Sequence, residues 1–433
     1  MPSFERPDLS AIYGLHWVRN RRIGNGGQSY VVPFPRVRPM NIVFHGKEPF
    51  SYGHYGIHLG QKDRLTFLGA PGQIITAHFI DCRKNSPTAR AKLVVKFEPT
   101  SEWELNIPPG VAHSFSGLES VSTLNNYDLY LPDPESWREG TTKWDVDADV
   151  INVDIAADPE EVELFEENTN AASDVFYSII ADRQRAKLPT LTHSYPYTAD
   201  YEASDGKTYS LKVAEKAPTA DIPTWEAISP IEGLGWQANP FLASGKHSGF
   251  VPLLGGRPYY IVDHGHSEEY SHDAFGIHLG QQDRLIFLGN EDSTALVEFV
   301  DCRHGSPTLH RRATVSFSPD ARRTLVIPNG VAHRFERLEG IYTLNQGVIF
   351  LSDSEEYQPG NDVIDWHVSK AAMPTLEFNT REASRAYYVE LAESQKVQLS
   401  AQIDESTPIV VMAKDRFGKD VRVAIRKQAE STT

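Results

Sequence analysis

Sulfur is scarce in this chain: two cysteines and four methionines in 433 residues. Cys82 and Cys302 are too few for a disulfide scaffold, and their number fits a reducing compartment. No stretch approaches the ~18 uninterrupted apolar residues of a membrane-crossing helix. The opening MPSFERPDLS lacks a basic-then-apolar leader pattern. These absences predict a soluble, cytoplasmic protein. Positive charge is also short, 42 Lys and Arg against 58 Asp and Glu, for a formal charge of −16. Such a balance disfavours nucleic acid and anionic membrane as partners. An anionic ligand would need locally placed cations. Hydrophobic residues at 40% and aromatics at 10% are ample for folded cores, and at ~150 residues per domain the length predicts two or three domains.

Repetition is what the chain has in quantity. HFIDCRKNSPT around Cys82 returns as EFVDCRHGSPT around Cys302, an offset of 220 residues. The same offset carries YGIHLGQKDRLTFLG, ending at Gly69, to FGIHLGQQDRLIFLG, ending at Gly289, and IPPGVAHSF at His113 to IPNGVAHRF at His333. Three blocks in constant register over some sixty residues define a tandem duplication of whole domains. Each copy opens on a Gly-x-x-Trp segment, at Trp17 and Trp236, and trails into a helical stretch and a hairpin turning at Gly206 or Gly418. The copies are predicted as 1–217 and 230–433, joined through APTADIPTWEAISP, whose prolines favour an extended linker. Within each copy the hydrophobic period is two, as in AKLVVKFEP and ALVEFVD, with Pro-Gly and Asn-Gly turns between runs. The fold class is therefore all-β, a sandwich or closed barrel in each copy. The cysteines sit in apolar strands and read as small core residues.

Histidines carry the functional signal. His58 and His278 share one block, His113 and His333 another, all held in register while the copies have diverged elsewhere. Arg64 and Arg284 follow the first histidine by six residues, which on one uninterrupted strand places them on its face. There they would meet an anionic ligand or a buried carboxylate, and both readings are open. A register shifted by one would put Asp63 and Asp283 on that face instead.

The blocks GIHLG, D-C-R-x-x-S-P-T and I-P-x-G-V-A-H-x-F resemble the dTDP-4-dehydrorhamnose 3,5-epimerase family, over roughly residues 40–155 and 255–367. The resemblance implies two tandem cupin-type jelly rolls with no required metal, and no cofactor is expected. It implies an epimerase or isomerase that abstracts a proton beside the ketone of a nucleotide-linked 4-keto-deoxy sugar, chiefly in the C-terminal copy. His278 would be the base, Asp365 of VIDWH its orienting carboxylate, and Tyr342 the acid, with Leu344 the other alignment of that position. Arg284, His333 and His266 would bind substrate. The N-terminal copy keeps His58, Arg64 and His113 but has Asn152 in place of Asp365, Lys47 in place of His266, and Ser122 or Leu124 in place of the tyrosine. Both copies depart from the family in having Tyr55 and Phe275 where it has an arginine. Family members pair their barrels as dimers, which implies an intramolecular pseudo-dimer here and leaves further homo-oligomerisation open. Two alternatives stand beside the enzyme: a non-catalytic sugar-binding or structural bicupin, and a metal-dependent bicupin. The latter would use His264-Gly-His266 with Glu268 or Glu269 and His333, although the first copy reads His45-Gly-Lys47 there.

Overall fold

The computed structural model describes residues 6–24, 29–131, 150–154, 156, 158–187, 193–202, 208–216, 224–243, 248–266, 269–352, 363–368, 372–401, 409–414 and 420–425. Gly206, Gly418, Glu268 and the first half of the predicted linker, 217–223, lie outside them. Each copy folds its period-two segments into two facing antiparallel sheets, a cupin-type barrel. In the N-terminal barrel the smaller sheet runs Val150–Asp154, His54–His58, Val111–Ser116, Ile75–Asp81, Lys92–Phe97. It faces a sheet containing Trp103–Ile107, Gln61–Leu68, Ser122–Asn125 and Met40–His45. The C-terminal barrel repeats the order with Val363–Trp366, Phe275–His278, Val331–Glu336, Ala295–Asp301 and Arg312–Phe317 in the smaller sheet. Leu65, Phe67, Phe79 and Phe115 fill the first lumen's apolar end, and Leu285, Phe287, Phe299 and Phe335 fill the second. Helices Asp174–Lys187 and Arg385–Ala401 follow the barrels, each with a hairpin after it. Among the described residues no helix is long and apolar enough to cross a membrane.

The larger sheets do not respect the division between copies. Met40–His45 pairs with Ser248–Leu253 of the second copy, Ile42 opposite Val251. Reciprocally, Tyr259–Asp263 pairs with Tyr30–Phe34 of the first copy, Ile261 opposite Val32. Each barrel thus borrows a strand from the other, and the backbone groups of two would-be sheet edges are paired. Val32, Ile42, Leu124, Val251, Ile261 and Leu344 form one buried apolar layer between the barrels.

The repeated D-C-R-x-x-S-P-T block is a clasp. Asp301 accepts hydrogen bonds from Arg303 Nε and Nη2 (2.9 and 2.8 Å), Ser306 Oγ (2.6 Å) and Thr308 Oγ1 (2.6 Å). Asp81 does the same with Arg83, Ser86 and Thr88. The arginine stem then lies beneath the Gly of P-x-G. A Cβ on Gly330, whose φ is +80°, would stand 2.5 Å from Arg303 Cγ, so only glycine fits. Gly330 in turn donates its N–H to His278 O (2.7 Å) and accepts from Cys302 N (3.1 Å). All three repeated blocks therefore meet at one corner, and that corner ends in the histidine. Cys82 and Cys302 are fully buried there, and burial pushes each thiol up to about 11.

Burial works against ionised Asp301, yet its bonds from Arg303, Ser306 and Thr308 bring the carboxyl down to about 2. Its stabilisation is complete above the unfolded carboxylate value of ~4 and is lost as pH falls from there toward the folded value. Asp301→Ala should cost about 3 kcal/mol and flatten the acid limb of a urea-midpoint-against-pH curve; a parallel acid limb in the variant would contradict the clasp. The strand exchange makes a second forecast. Residues 1–217 and 230–433 produced separately should be poorly soluble, and should co-elute as one species on size exclusion when produced together.

Candidate active site

His58 ends the strand His54–His58, and Leu59-Gly60 turns the chain before Gln61–Leu68 begins in the opposite sheet. The turn resets strand parity. Gln61, Asp63 and Leu65 face inward, and the intervening Arg64 faces away from the lumen. The C-terminal copy repeats this with Gln281, Asp283, Leu285 and Arg284. The expectation that Arg64 and Arg284 share the histidine face is therefore corrected. Arg64 Nε bonds Glu104 Oε1 (2.7 Å), and Arg284 Nη2 bonds Gln237 Oε1 (2.6 Å). Burial, with Arg257 nearby, lowers the Arg284 guanidinium to about 10.

The residue that does reach the histidines is the aspartate. Asp63 Oδ2 lies 3.7 Å from His58 Nε2 and 3.2 Å from His113 Nε2. Asp283 Oδ2 lies 3.6 Å from His278 Nε2 and 3.4 Å from His333 Nε2. The other carboxylate oxygen is held from behind. Gln61 Nε2 and Asn125 Nδ2 donate to Asp63 Oδ1 (2.7 and 2.8 Å), and Gln281 and Asn345 do so to Asp283 (2.7 and 2.9 Å). Burial disfavours ionised Asp63, but His58, His113 and Asn125 outweigh it and hold its carboxyl well below the usual range. Burial takes the His333 imidazole below its ordinary value despite the pull of Asp283. The imidazoles of each pair stack 5.9 Å apart. Two histidines and a carboxylate so placed in both barrels, with all ligating atoms within 4.8 Å, could hold a metal ion.

The C-terminal triad opens on a cavity of about 570 Å³. His272, Asp365 and Tyr260 line it as well, and Val31 of the exchanged strand closes one side. Asp365 sits opposite Gly276, diagonal to His278, whose own register partner is Val363. Asp283 is a carboxylate at charge-pair distance from His278 Nε2, and the charge of Asp365 acts on His272. Asn152 holds the matching register position opposite Gly56 in the first barrel.

Tyr342 is corrected too. In Ile341–Asn345, Thr343 and Asn345 face the cavity, so Tyr342 and Leu344 face the layer between barrels. Tyr342 is buried, donates to Gly69 O of the other copy (3.0 Å) and bonds His266 Nε2 (2.9 Å). His266 is thus an interface brace rather than a substrate ligand. The His264-Gly-His266 pair of the metal alternative does not converge, His266 turning to the interface and His264 to the cavity wall. Gly265 at φ +76° turns the chain, and His264 Nε2 goes instead to Thr343 Oγ1 (3.1 Å). Asp283 enters the sequence reading only as the alternative for a register shifted by one, and Gln281, Asn345, His272 and Tyr260 have no role in it. Gln, Asp and Asn recur at the 220-residue offset (Gln61/Gln281, Asp63/Asp283, Asn125/Asn345), which was the signal available.

No protein-family model matches the chain, and no curated protein does. Solved structures with some likeness include a dTDP-4-dehydrorhamnose 3,5-epimerase from Elizabethkingia anophelis NUHP1 (14% identity, 33% of this chain and 91% of that chain, TM-score 0.20). Another is a 4-keto-6-deoxy sugar epimerase of Streptomyces spheroides (16%, 40% and 90%, 0.21). A third is the Lactobacillus farciminis oxalate decarboxylase formate complex (11%, 78% and 88%, 0.22). At these scores the names describe those proteins alone.

Because Tyr342 and Arg284 stand outside the lumen, Tyr342→Phe should lower the thermal midpoint through the loss of about 1 kcal/mol and leave ligand binding intact. Arg284→Gln should change the affinity of a cavity ligand less than about twofold, where loss of a charge-assisted contact would cost ten- to a hundredfold. Isothermal titration of both variants checks this.

Proposed function

We propose that the C-terminal barrel is the working site of a cupin-type isomerase or epimerase that moves a proton beside a carbonyl group. The observation that carries the reading is an asymmetry. Both barrels have the two histidines and the buried aspartate, but His272, Asp365 and Tyr260 of the C-terminal cavity are replaced in the first copy by Tyr52, Asn152 and Asn41. Burial lowers the His272 imidazole, against the pull of the Phe335 carbonyl, Asp273 and Asp365, which favours the unprotonated ring that can accept a proton. Tyr260 comes from the opposing sheet, its oxygen accepting from Gln281 Nε2 (3.1 Å) and Asn345 Nδ2 (2.6 Å). Proton-carrying groups on two facing walls are what inversion at carbon requires.

In this reading His272, supported by Asp365, takes the proton from the carbon beside the ketone, and the electron pair moves onto the carbonyl oxygen. The His278–Asp283–His333 cluster faces that oxygen, and Tyr260 returns a proton from the other wall. The base is thereby reassigned from His278, whose Nε2 is directed at Asp283. A 4-keto-deoxy sugar is the substrate class that the sequence resemblance supports. Among the described residues lining the cavity none is Lys or Arg, so the sugar belongs in the lumen and a nucleotide diphosphate at or beyond its mouth.

Solvent deuterium exchange into nucleotide-linked and free 4-keto sugars, followed by NMR, tests the reading. The wild type should exchange the hydrogen beside the ketone. His272→Ala and Asp365→Asn should each slow exchange by ~10²–10⁴-fold, and His58→Ala should leave it nearly unchanged. Equal losses from His58→Ala and His272→Ala, or no exchange in any sugar, would reject it.

A further inference from the structure

The two histidine–aspartate clusters contain a conflict of electron pairs. His113 Nδ1 lies 3.1 Å from Val111 O, and His333 Nδ1 lies 3.3 Å from Val331 O. A carbonyl oxygen can only accept, so in both rings Nδ1 carries the proton. The neutral ring then presents the lone pair of Nε2 toward the cluster. What it meets is a carboxylate oxygen, at 3.2 Å in the first barrel and 3.4 Å in the second. That oxygen also has only lone pairs to offer. The carboxylate cannot turn away, because its other oxygen is fixed by two amide donors in each barrel. Acceptor facing acceptor in a buried site is unfavourable, and a positive charge between them removes the conflict.

A proton on the ring would satisfy one contact. A metal ion satisfies three atoms at once: two imidazole nitrogens and one carboxylate oxygen, all within 4.8 Å of one another. Ions bound at ~2.0–2.2 Å from nitrogen and oxygen bring their ligands to about this spacing after small closure. The Nδ1–H bond to a backbone carbonyl is also the outer contact that orients ligating histidines. Two nitrogens and one oxygen suit a first-row divalent ion such as Mn²⁺, Fe²⁺, Co²⁺ or Zn²⁺ better than Mg²⁺ or Ca²⁺, which prefer oxygen alone.

We propose that each barrel holds one first-row divalent metal ion, at His58, Asp63 and His113 and at His278, Asp283 and His333. The amide pairs behind the aspartates are positioning residues for these sites. Three protein ligands leave coordination positions open, and in the C-terminal barrel they open onto the cavity. Its consequence for catalysis, stabilisation of charge on the substrate oxygen, rests on the proton-transfer reading above; binding itself does not.

The full chain, stripped with chelator and dialysed, is titrated with Co²⁺ or Mn²⁺ and read by bound-metal content, by the visible spectrum of Co²⁺ and by the magnetic resonance of Mn²⁺. Two ions per chain are expected. His113→Gln should remove the first, His333→Gln the second, and the double variant both, with circular dichroism checking the fold. Should the glutamines unfold the barrels, the wild type still decides the question through nitrogen-15 histidine spectra of the stripped protein. Loss of the Nε2 lone-pair signature on adding metal supports the sites. Nε2 protonated at neutral pH and unmoved by metal overturns them, as does metal content unchanged in the double variant. Two bound ions without hydrogen exchange would uphold the sites and reject the proton-transfer reading; exchange in a chain that binds no ion would do the reverse.

Discussion

Everything at the candidate site depends on one carboxylate held by its back. In each barrel two amide groups grip one oxygen of a buried aspartate, Asp63 or Asp283, and present the other to a pair of imidazoles. The amides come from the aspartate's own strand and from its neighbour, Ser122–Asn125 or Ile341–Asn345. The imidazoles come from the facing sheet. The cluster is consequently a cross-link between the two layers of the barrel at its polar end, as the phenylalanines are at the apolar end. Its geometry is inherited from strand register, and is thus as rigid as the sheets themselves.

The repeated motifs build that geometry at a distance. Asp301, Arg303, Ser306 and Thr308 never touch the cavity, yet the Arg303 stem shapes the turn at Gly330, which leads into the strand of His333 and bonds the carbonyl of His278. This explains why D-C-R-x-x-S-P-T and P-x-G-V-A-H recur together. One supplies a support and the other the bend that rests on it.

Much of this was legible in the sequence. A period of two, turn residues at regular intervals and a 220-residue offset pointed to duplicated β-barrels, and the paired histidines marked the site. Strand parity was not legible. Whether Asp63 or Arg64 faces inward depends on whether Leu59-Gly60 continues a strand or turns it, and both readings satisfy the same string of residues. Tyr342 was misplaced for a related reason, since its sheet has apolar packing on both faces and neither face announces itself by polarity. The reciprocal exchange of strands leaves no periodic trace at all. Tyr30–Phe34 and Ser248–Leu253 read as ordinary strands, and only the backbone pairing reveals which barrel each completes.

That exchange bears on how the chain can change over time. Val31 belongs to the copy with the plainer lumen, yet it walls the cavity of the other. The N-terminal half is therefore a permanent part of its partner's architecture, whatever chemistry its own lumen retains. Truncating the gene to the C-terminal copy would open the cavity to water and strip the cover from Ile261 and Leu344. Substitutions in Tyr30–Phe34 should accordingly show epistasis with substitutions in the distant cavity, and the two halves must drift as a single inherited unit.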